Sequence, residues 1–402
     1  MEGDRRLSTE EVSAAFEAVM DRVDATLTAT GERFPLYADP DTGRWETTPN
    51  GNWCGGHWVG LLWLAFDHAD APAEQERYDR AARSHTATVR EAIPETTMFC
   101  GMARYYTGFR GYDATGDREL FGLGLAGADA MATLFHETAR QVPSGTFDIE
   151  GGSSFSGSAD PDHRFTTAAV DNVYTALPVC WRAARETGDR RFRDLAISHA
   201  DRHLDWFLRA DGSTLHHVRF DGETGRPTTE DNELAAGPET CWARGLGWNI
   251  AGLSRAFRET GAGRYLNALE RSVAYYRDHV PEDLVPFWDL EAPGIPAEPR
   301  DTSGAALVAY GLTRLPAAST RSPRIAGFVD RIESLREIGH AVLGSLVRNY
   351  LVTDHGDRRG MILHGCYDGP GEYATDNELI WTDYYVAYAL AAAIDRPAAT
   401  RR

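Results

Sequence analysis

A Thr-Gly pair recurs three times in this chain in the same surroundings, and no other feature restricts the fold as much. The pairs lie at 115–116, 187–188 and 260–261, within YDATGDRELFGLGLAGADA, ARETGDRRFRDLAISHADRHL and FRETGAGRYLNALERSVAYY. In each copy an amphipathic helical pattern runs up to the glycine. A polar turn follows, and an aromatic or leucine residue opens the next helix. Glycine accepts the left-handed conformation that ends a helix at low cost, which is the reason to place a helix stop there. Degenerate copies start at Phe66 (FDHADAPAEQERYDRAARSH) and Leu312 (LTRLPAASTRSPRIAGFVDRI). A spacing of roughly 50–75 residues with two helices per unit reads as a helical-hairpin repeat.

Six such hairpins fit into 402 residues. They close into an all-α toroid, an (α/α)6 barrel. An open solenoid is the competing arrangement, but it would call for more uniform repeats. Less regular stretches at 141–167, 211–240, 286–304 and 355–378 are rich in Gly, Pro, Asp and Ser. They are expected to gather over one end of the barrel, with short strands such as STLHHVRFD among them, and loops so placed tend to carry function. No Gly/Ser linker or low-complexity tract divides the chain, so residues 1–402 are read as one domain.

Charge narrows the function. The formal net charge is −19, and all 41 basic residues are arginine. Such a chain repels a phosphate backbone, which argues against a nucleic-acid partner. Without lysine, neither a Schiff base nor a P-loop is available. An acidic, lysine-free surface suits a salt-rich, halophilic cytoplasm, where charge is screened. A GC-rich genome that favours arginine codons is the plainer explanation. No apolar run approaches the roughly 18 residues of a membrane span, and MEGDRRLSTEEVSAAF has no apolar signal core. A cytoplasmic protein without a membrane partner is expected. The five cysteines are scattered and form no CxxC pair, which disfavours a disulfide frame or thiolate zinc site. No HExxH or His/Asp cluster suggests a metal, and no cofactor is expected.

The candidate chemistry lies in a few stretches. NWCGGHWVGLLWLAF (52–66) carries Trp58, VDNVYTALPVCW carries Asp171, and STLHHVRFD (213–221) carries His216 and His217. ETCWARGLGWNIAGL (239–253) holds Trp242, Arg244 and Trp248. PFWDLEAP, RDTSGAALVAYGL and ELIWTDYYVAYAL, with Trp381, follow. Aromatic faces stack on sugar rings. An arginine fork grips a carboxylate. An aspartic acid in an apolar wall keeps its proton to higher pH. Each feature also has a purely structural explanation. The tryptophans could be core, Arg244 a buried ion-pair partner, and Asp289 and Asp301 makers of loop hydrogen bonds. Asp171, in what reads as an apolar helix, could equally cap a neighbour or act in catalysis.

In order and spacing, GGHWVGLLWLAF, AAVDNVYTALPVCWRAARETGD, HHVRFDGETG, CWARGLGWNIAGL, FWDLEAP, RDTSGAALVAYGL and IWTDYYVAYAL resemble the unsaturated glucuronyl hydrolases of glycoside hydrolase family 88. The related family 105 shares some of these motifs. The resemblance runs from about residue 52 to 392. It implies an (α/α)6 barrel without metal or cofactor, acting on a small acidic oligosaccharide. The reaction would remove a 4,5-unsaturated uronic acid by hydration of its enol ether. Asp171 matches the acid/base, and His216 a histidine near the substrate. Trp58 and Trp242 match sugar-stacking aromatics, and Arg244 the arginine beside them. Trp248 and Trp381 belong to the same motifs. Where the family has a second essential aspartate, this chain reads TTMFCGMARYY and has Phe99 at that position; the nearest carboxylate is Glu95. The family's glutamine ahead of WxRG is absent from DNELAAGPET. A saturated β-glucuronidase would need a second carboxylate facing Asp171, with Glu150, Glu239 and Asp301 as candidates. A non-catalytic uronide-binding homologue, and an epimerase with paired histidines across the pocket, are the remaining alternatives.

Overall fold

Helix α1 (Thr9–Thr30) starts at Ser8, whose hydroxyl and Glu11 form a reciprocal capping box, and leads into strands β1 (Phe34–Ala38) and β2 (Trp45–Thr48). From there two kinds of helix alternate. Helix α2 (Gly55–His68) is buried on every side from Gly55 to Ala65. Helix α3 (Pro72–Ala92) buries only Tyr78, Ala82, His85, Thr86 and Val89, one stripe at helical spacing. All-round burial marks an inner helix, and a single stripe marks an outer one. The structure, a computed structural model, describes residues 6–146, 163–317, 325–353 and 356–394.

The pattern repeats. Helix α4 (Phe99–Arg104), a π-helical turn (Tyr105–Phe109) and α5 (Arg110–Thr115) form the second inner segment, with α6 (Arg118–Leu134) outside it. Helices α7 (Asn172–Thr175) and α8 (Leu177–Thr187) are followed by outer α9 (Arg190–Trp206). Inner α10 (Ala243–Thr260) pairs with α11 (Gly263–His279), and inner α12 (Thr302–Thr313) with α13 (Val329–Ser345). Helix α14 (Ile380–Ala393) is the sixth inner element. It packs on α12, α2 and α1, which closes the ring and makes α1 its outer partner. At Gly60 an added Cβ would stand 2.4 Å from the Tyr384 ring, so α2 and α14 can meet this closely only at glycine. One hydrophobic cluster reaches from Val12 to Leu390. The fold is the expected all-α (α/α)6 barrel.

The Thr-Gly pairs end α5, α8 and α10, with Gly116, Gly188 and Gly261 at φ 74°, 73° and 68°. The threonine is as informative as the glycine. Thr115, Thr187 and Thr260 each donate Oγ1–H to the carbonyl four residues back, at 2.7 Å. Each hydroxyl then accepts the N–H two residues on, at 3.1–3.2 Å. In the first two copies that next residue, Asp117 or Asp189, caps the following helix. Stop, turn and start are thus encoded within five residues.

The five hairpins that follow α1 each begin on the inside, and α14 enters in the same way, so the inner helices run parallel with their N-termini at one end. Two antiparallel three-stranded sheets flank that end. They are ordered β2-β1-β6 and β3-β4-β5, with β3 (Thr167–Ala169), β4 (His217–Phe220), β5 (Pro227–Asp231) and β6 (Glu378–Leu379). The stretch around Asp171 differs from its reading as one helix. It is a strand, a turn and a helix. Ala169 pairs with His217, and Asp171 itself stands at the turn into α7.

Candidate active site

At the end where the inner helices begin, a narrow pocket opens inside the ring. Trp53, Phe99, Asp171, Thr175, Leu234, Trp242, Arg244, Trp248 and Tyr367 line it. Among these, Asp171 is the only carboxylate.

The strand-to-helix turn fixes Asp171. Its carbonyl accepts the N–H of Tyr174 and of Thr175, while its side chain caps nothing. The capping alternative for this residue is thereby removed. The residue is 4 % exposed, and Oδ1 has no hydrogen-bond partner among the described residues. Burial pushes the carboxyl up to about 7, while Arg244 and a backbone hydrogen bond pull the other way. Near neutral pH the group can therefore both give and take a proton. Phe99 stands in the same wall, because α4 closes tightly on the α7–α8 junction. At Gly101 a Cβ would lie 2.7 Å from the Ala176 carbonyl oxygen.

Arg244 lines the pocket, and one side of its fork is engaged by the protein. Nη1 and Nη2 donate to the carbonyls of Cys366 and Tyr367, and Nη1 also donates to Ser303 Oγ at 3.3 Å. Asp301 Oδ2 lies 3.6 Å away, and Asp301 Oδ1 accepts from Ser303 and from the Cys366 N–H. Both N–H groups of Nη1 are in use, while Nε–H and one N–H of Nη2 have no acceptor among the described residues and are left for a substrate carboxylate. Arg244 faces the pocket as a fixed charge between the rings of Trp242, 4.7 Å away, and Trp381, 5.7 Å away. Asp289 accepts from Ala236, Thr240 and Glu291, so it and Asp301 are loop-holding residues.

Trp242, Trp248 and Phe99 join Asp171 in the pocket wall, whereas Trp58 and Trp381 do not. Trp58 is fully buried on the opposite side of α2, edge-on to His85 of α3. About 100° separates consecutive residues on a helix, so the face that carries Trp53 and His57 inward turns Trp58 outward. Trp381 is fully buried one layer back, behind Trp53 at 4.8 Å and Tyr367 at 5.0 Å. His216 is buried edge-on to Trp242, with Nε2 3.8 Å from Asp171 Oδ2, beyond hydrogen-bond reach. Burial, His217 and Arg244 hold its pKa well below 6.5, so it is neutral beside the acid.

His216, His217 and Glu233 bring ligand atoms within 4.8 Å of one another. The two imidazoles, however, stack at 3.8 Å with planes 25° apart. Their in-plane lone pairs run side by side rather than converging on one ion. Neither histidine lines the pocket, and their stacking keeps them together, unlike the facing pair an epimerase would need. Of the candidate second carboxylates, Glu239 is exposed and Asp301 is held by Arg244 and Ser303. Glu150 lies outside the described residues.

Thr175, Leu234 and Tyr367 line the pocket without having been singled out from sequence, and Trp53, of the 52–66 motif, lines it in place of Trp58. Trp53 Nε1 donates to Tyr367 Oη at 2.8 Å, joining residues 314 positions apart. Thr175 is fully buried, one helical turn beyond Asp171, and its Oγ1 has no partner among the described residues. That spacing is the signal by which it could have been found. Asn232, in the segment lacking the family's glutamine, accepts the His216 N–H and donates to the carbonyls of Gly237 and Thr240.

No family profile matches the chain. It is 26 % identical over 369 residues to an unsaturated glucuronyl hydrolase of Bacillus sp. strain GL1, covering 90 % of each. It is 24 % identical over 384 residues to an unsaturated chondroitin disaccharide hydrolase of Streptococcus pneumoniae, covering 96 % of this chain and 92 % of the relative. The crystal structure of the Bacillus enzyme superposes with a TM-score of 0.80 at 25 % identity, covering 96 % of this chain and 97 % of the other. A complex of an unsaturated glucuronyl hydrolase variant with dGlcA-Glc-Rha-Glc also gives 0.80 at 25 %, covering 95 % and 97 %.

Proposed function

The chain belongs to the unsaturated glucuronyl hydrolases of glycoside hydrolase family 88, and we propose that Asp171 serves as the single acid and base of its reaction. The substrate is a 4,5-unsaturated uronic acid at the non-reducing end of an oligosaccharide left by a polysaccharide lyase. The observation that carries the assignment is a lone carboxyl group, buried in an aromatic wall and held up to about 7.

In the first step the protonated Asp171 donates to C4 of the C4=C5 bond, and an oxocarbenium ion forms across C5 and the ring oxygen. The ionised Asp171 then takes a proton from water as its oxygen adds to C5. The resulting hemiketal opens and the leaving sugar departs. The cycle regenerates the acid and needs no second carboxylate, in contrast to ordinary glycosidases. Trp242, Trp248 and Trp53 supply flat apolar faces for the sugar. Arg244, fixed by its bonds to Cys366, Tyr367 and Ser303, offers its positive charge and its remaining Nε and Nη2 N–H groups to the uronate carboxylate. Neutral His216 can orient water or a hydroxyl.

The test is to incubate the protein with unsaturated disaccharides from several lyases and follow loss of the enol ultraviolet absorbance. Wild type bleaches at least one, and Asp171→Asn bleaches none. Cleavage of a saturated glucuronide with no bleaching of any unsaturated substrate would overturn the assignment. We also place the protein in a salt-rich cytoplasm, on the strength of its −19 charge and arginine-only basic residues. Activity and melting temperature should then rise from 0.1 M to molar KCl; a fall in both would contradict this.

A further inference from the structure

The other end of the barrel poses a separate problem of charge. Arg110, Arg255, Arg258 and Arg314 converge below the tyrosines that fill the barrel axis. The Arg110 and Arg255 guanidinium carbons lie 5.3 and 5.6 Å from the Tyr105 ring centroid. Arg110 also stands over Tyr388 at 4.4 Å, and Arg314 over Tyr310 at 5.1 Å. Glu259 is the one carboxylate paired with this group among the described residues. Its Oε1 is 2.7 Å from Arg255 Nε and 3.6 Å from Arg185 Nη1.

Helix ends account for part of the excess. Arg258 lies in the last turn of α10, and Arg314 follows the end of α12, where the carbonyls of a helix terminus favour a cation. Arg110 and Arg255 are different. Arg110 opens α5, and its Nε and Nη2 are buried without an acceptor among the described residues. Arg255 is 7 % exposed, and its Nη2 likewise has no acceptor there. Arginine cannot shed its proton to escape burial, and a buried cation demands a compensating charge.

We propose that this end of the barrel binds a small inorganic anion, of the size of chloride, held between Arg110 and Arg255. A single-atom anion suits donors that reach it from two side chains among aromatic rings, where a tetrahedral oxyanion would call for more. The layer formed by Tyr106, Tyr174 and Tyr385, whose hydroxyls contact one another and His57, separates this place from the pocket of Asp171. The site is therefore not a substrate subsite. Internal phenols compete for the role: Arg314 and Arg110 pull Tyr310 down against its burial, and Tyr105 is affected most. Arg255 Nη1 donates to the Tyr105 hydroxyl at 3.4 Å, and the surrounding arginines pull that phenol down to about 7 against its burial. Ionised Tyr105 would supply the missing charge without any bound ion.

Crystals grown or soaked in bromide decide between them. The expected result is an anomalous peak flanked by Arg110 and Arg255. In solution, replacing gluconate by chloride at matched ionic strength should raise the melting temperature saturably, by about 2–4 °C. Arg110→Gln should lose that rise, and Asp171→Asn should keep it. Absence of the bromide peak in wild type overturns the proposal whatever the variants do. A tyrosinate absorbance band present near pH 7, with melting that does not distinguish chloride from gluconate, overturns it in favour of Tyr105.

Discussion

At the open end of the barrel one carboxyl group is buried near one guanidinium that is partly engaged elsewhere. At the other, narrow end four guanidiniums gather among tyrosines, and of these only Arg255 is paired with a carboxylate among the described residues. The same burial acts on both, and the outcomes differ because the groups differ. Asp171 can answer desolvation by keeping its proton, which makes it an acid near neutral pH. Arg110 and Arg255 have no such option, and their charge must be met by another charge. A third cluster lies between these cases. Arg22 forms a bidentate pair with Glu378, and Asp383 is buried beside them. Burial and Glu378 push Asp383 well up, so two carboxyl groups and one guanidinium settle by retaining a proton. Unmet charge in a core is thus chemistry when it sits on a carboxyl group in a pocket, and structure or ion binding elsewhere.

The sharpest way to break this contrast is to remove the acid. Asp171→Asn should lower kcat on an unsaturated disaccharide by about a thousandfold or more, with the circular dichroism unchanged. A loss of less than tenfold would take the role away from Asp171. The next largest effect is on Arg244. Asp301→Ala leaves that guanidinium without its carboxylate and should cost about 3–5 kcal/mol in denaturant unfolding. A cost below about 1 kcal/mol would mean that Arg244 is not held by Asp301.

The third effect follows from linkage. The folded pKa of Asp171 lies near 7, above the ordinary aspartate value of 3.8. Its proton therefore favours the folded state fully below about pH 4, and that contribution is lost as pH rises through 7. Asp171→Asn has no such loss. Relative to wild type it should gain stability between pH 4 and 9, by up to about 4 kcal/mol. A difference that does not vary with pH would contradict the raised pKa. Phe99→Asp should then raise the alkaline limb of kcat/KM by about one pH unit through like-charge repulsion, and change substrate preference. Unchanged kinetics would remove Phe99 from the pocket wall. Smallest of all, Thr175→Val should raise KM about two- to fivefold, the worth of one hydrogen bond. An unaltered KM would leave Thr175 as packing.

Much of the fold was legible because its punctuation is local. Threonine, glycine and the capping aspartate that stop one helix and start the next lie within five residues, so the hairpins could be seen in the chain. Asp171, Phe99, Trp242, Arg244 and Trp248 were also legible, through motifs that place them at or near the start of inner elements. Trp58 and Trp381 were misplaced for a physical reason. Inner helices such as α2 and α14 are apolar all round, so periodicity carries no sign of which face meets the axis. Tyr367 escaped notice because its pairing with Trp53 spans nearly the whole chain. The surplus of arginine at the narrow end was visible only as isolated residues until α5, α10 and α12 brought them together.

The central claim is that a dry aromatic wall keeps the proton on Asp171. Carboxyl-labelled aspartate, followed by 13C NMR as wild type minus Asp171→Asn, titrates that group directly. The account predicts an apparent pKa near 7 in the free protein. A value near 4 would mean that Asp171 is ionised at neutral pH, and the proton for C4 would have to come from elsewhere.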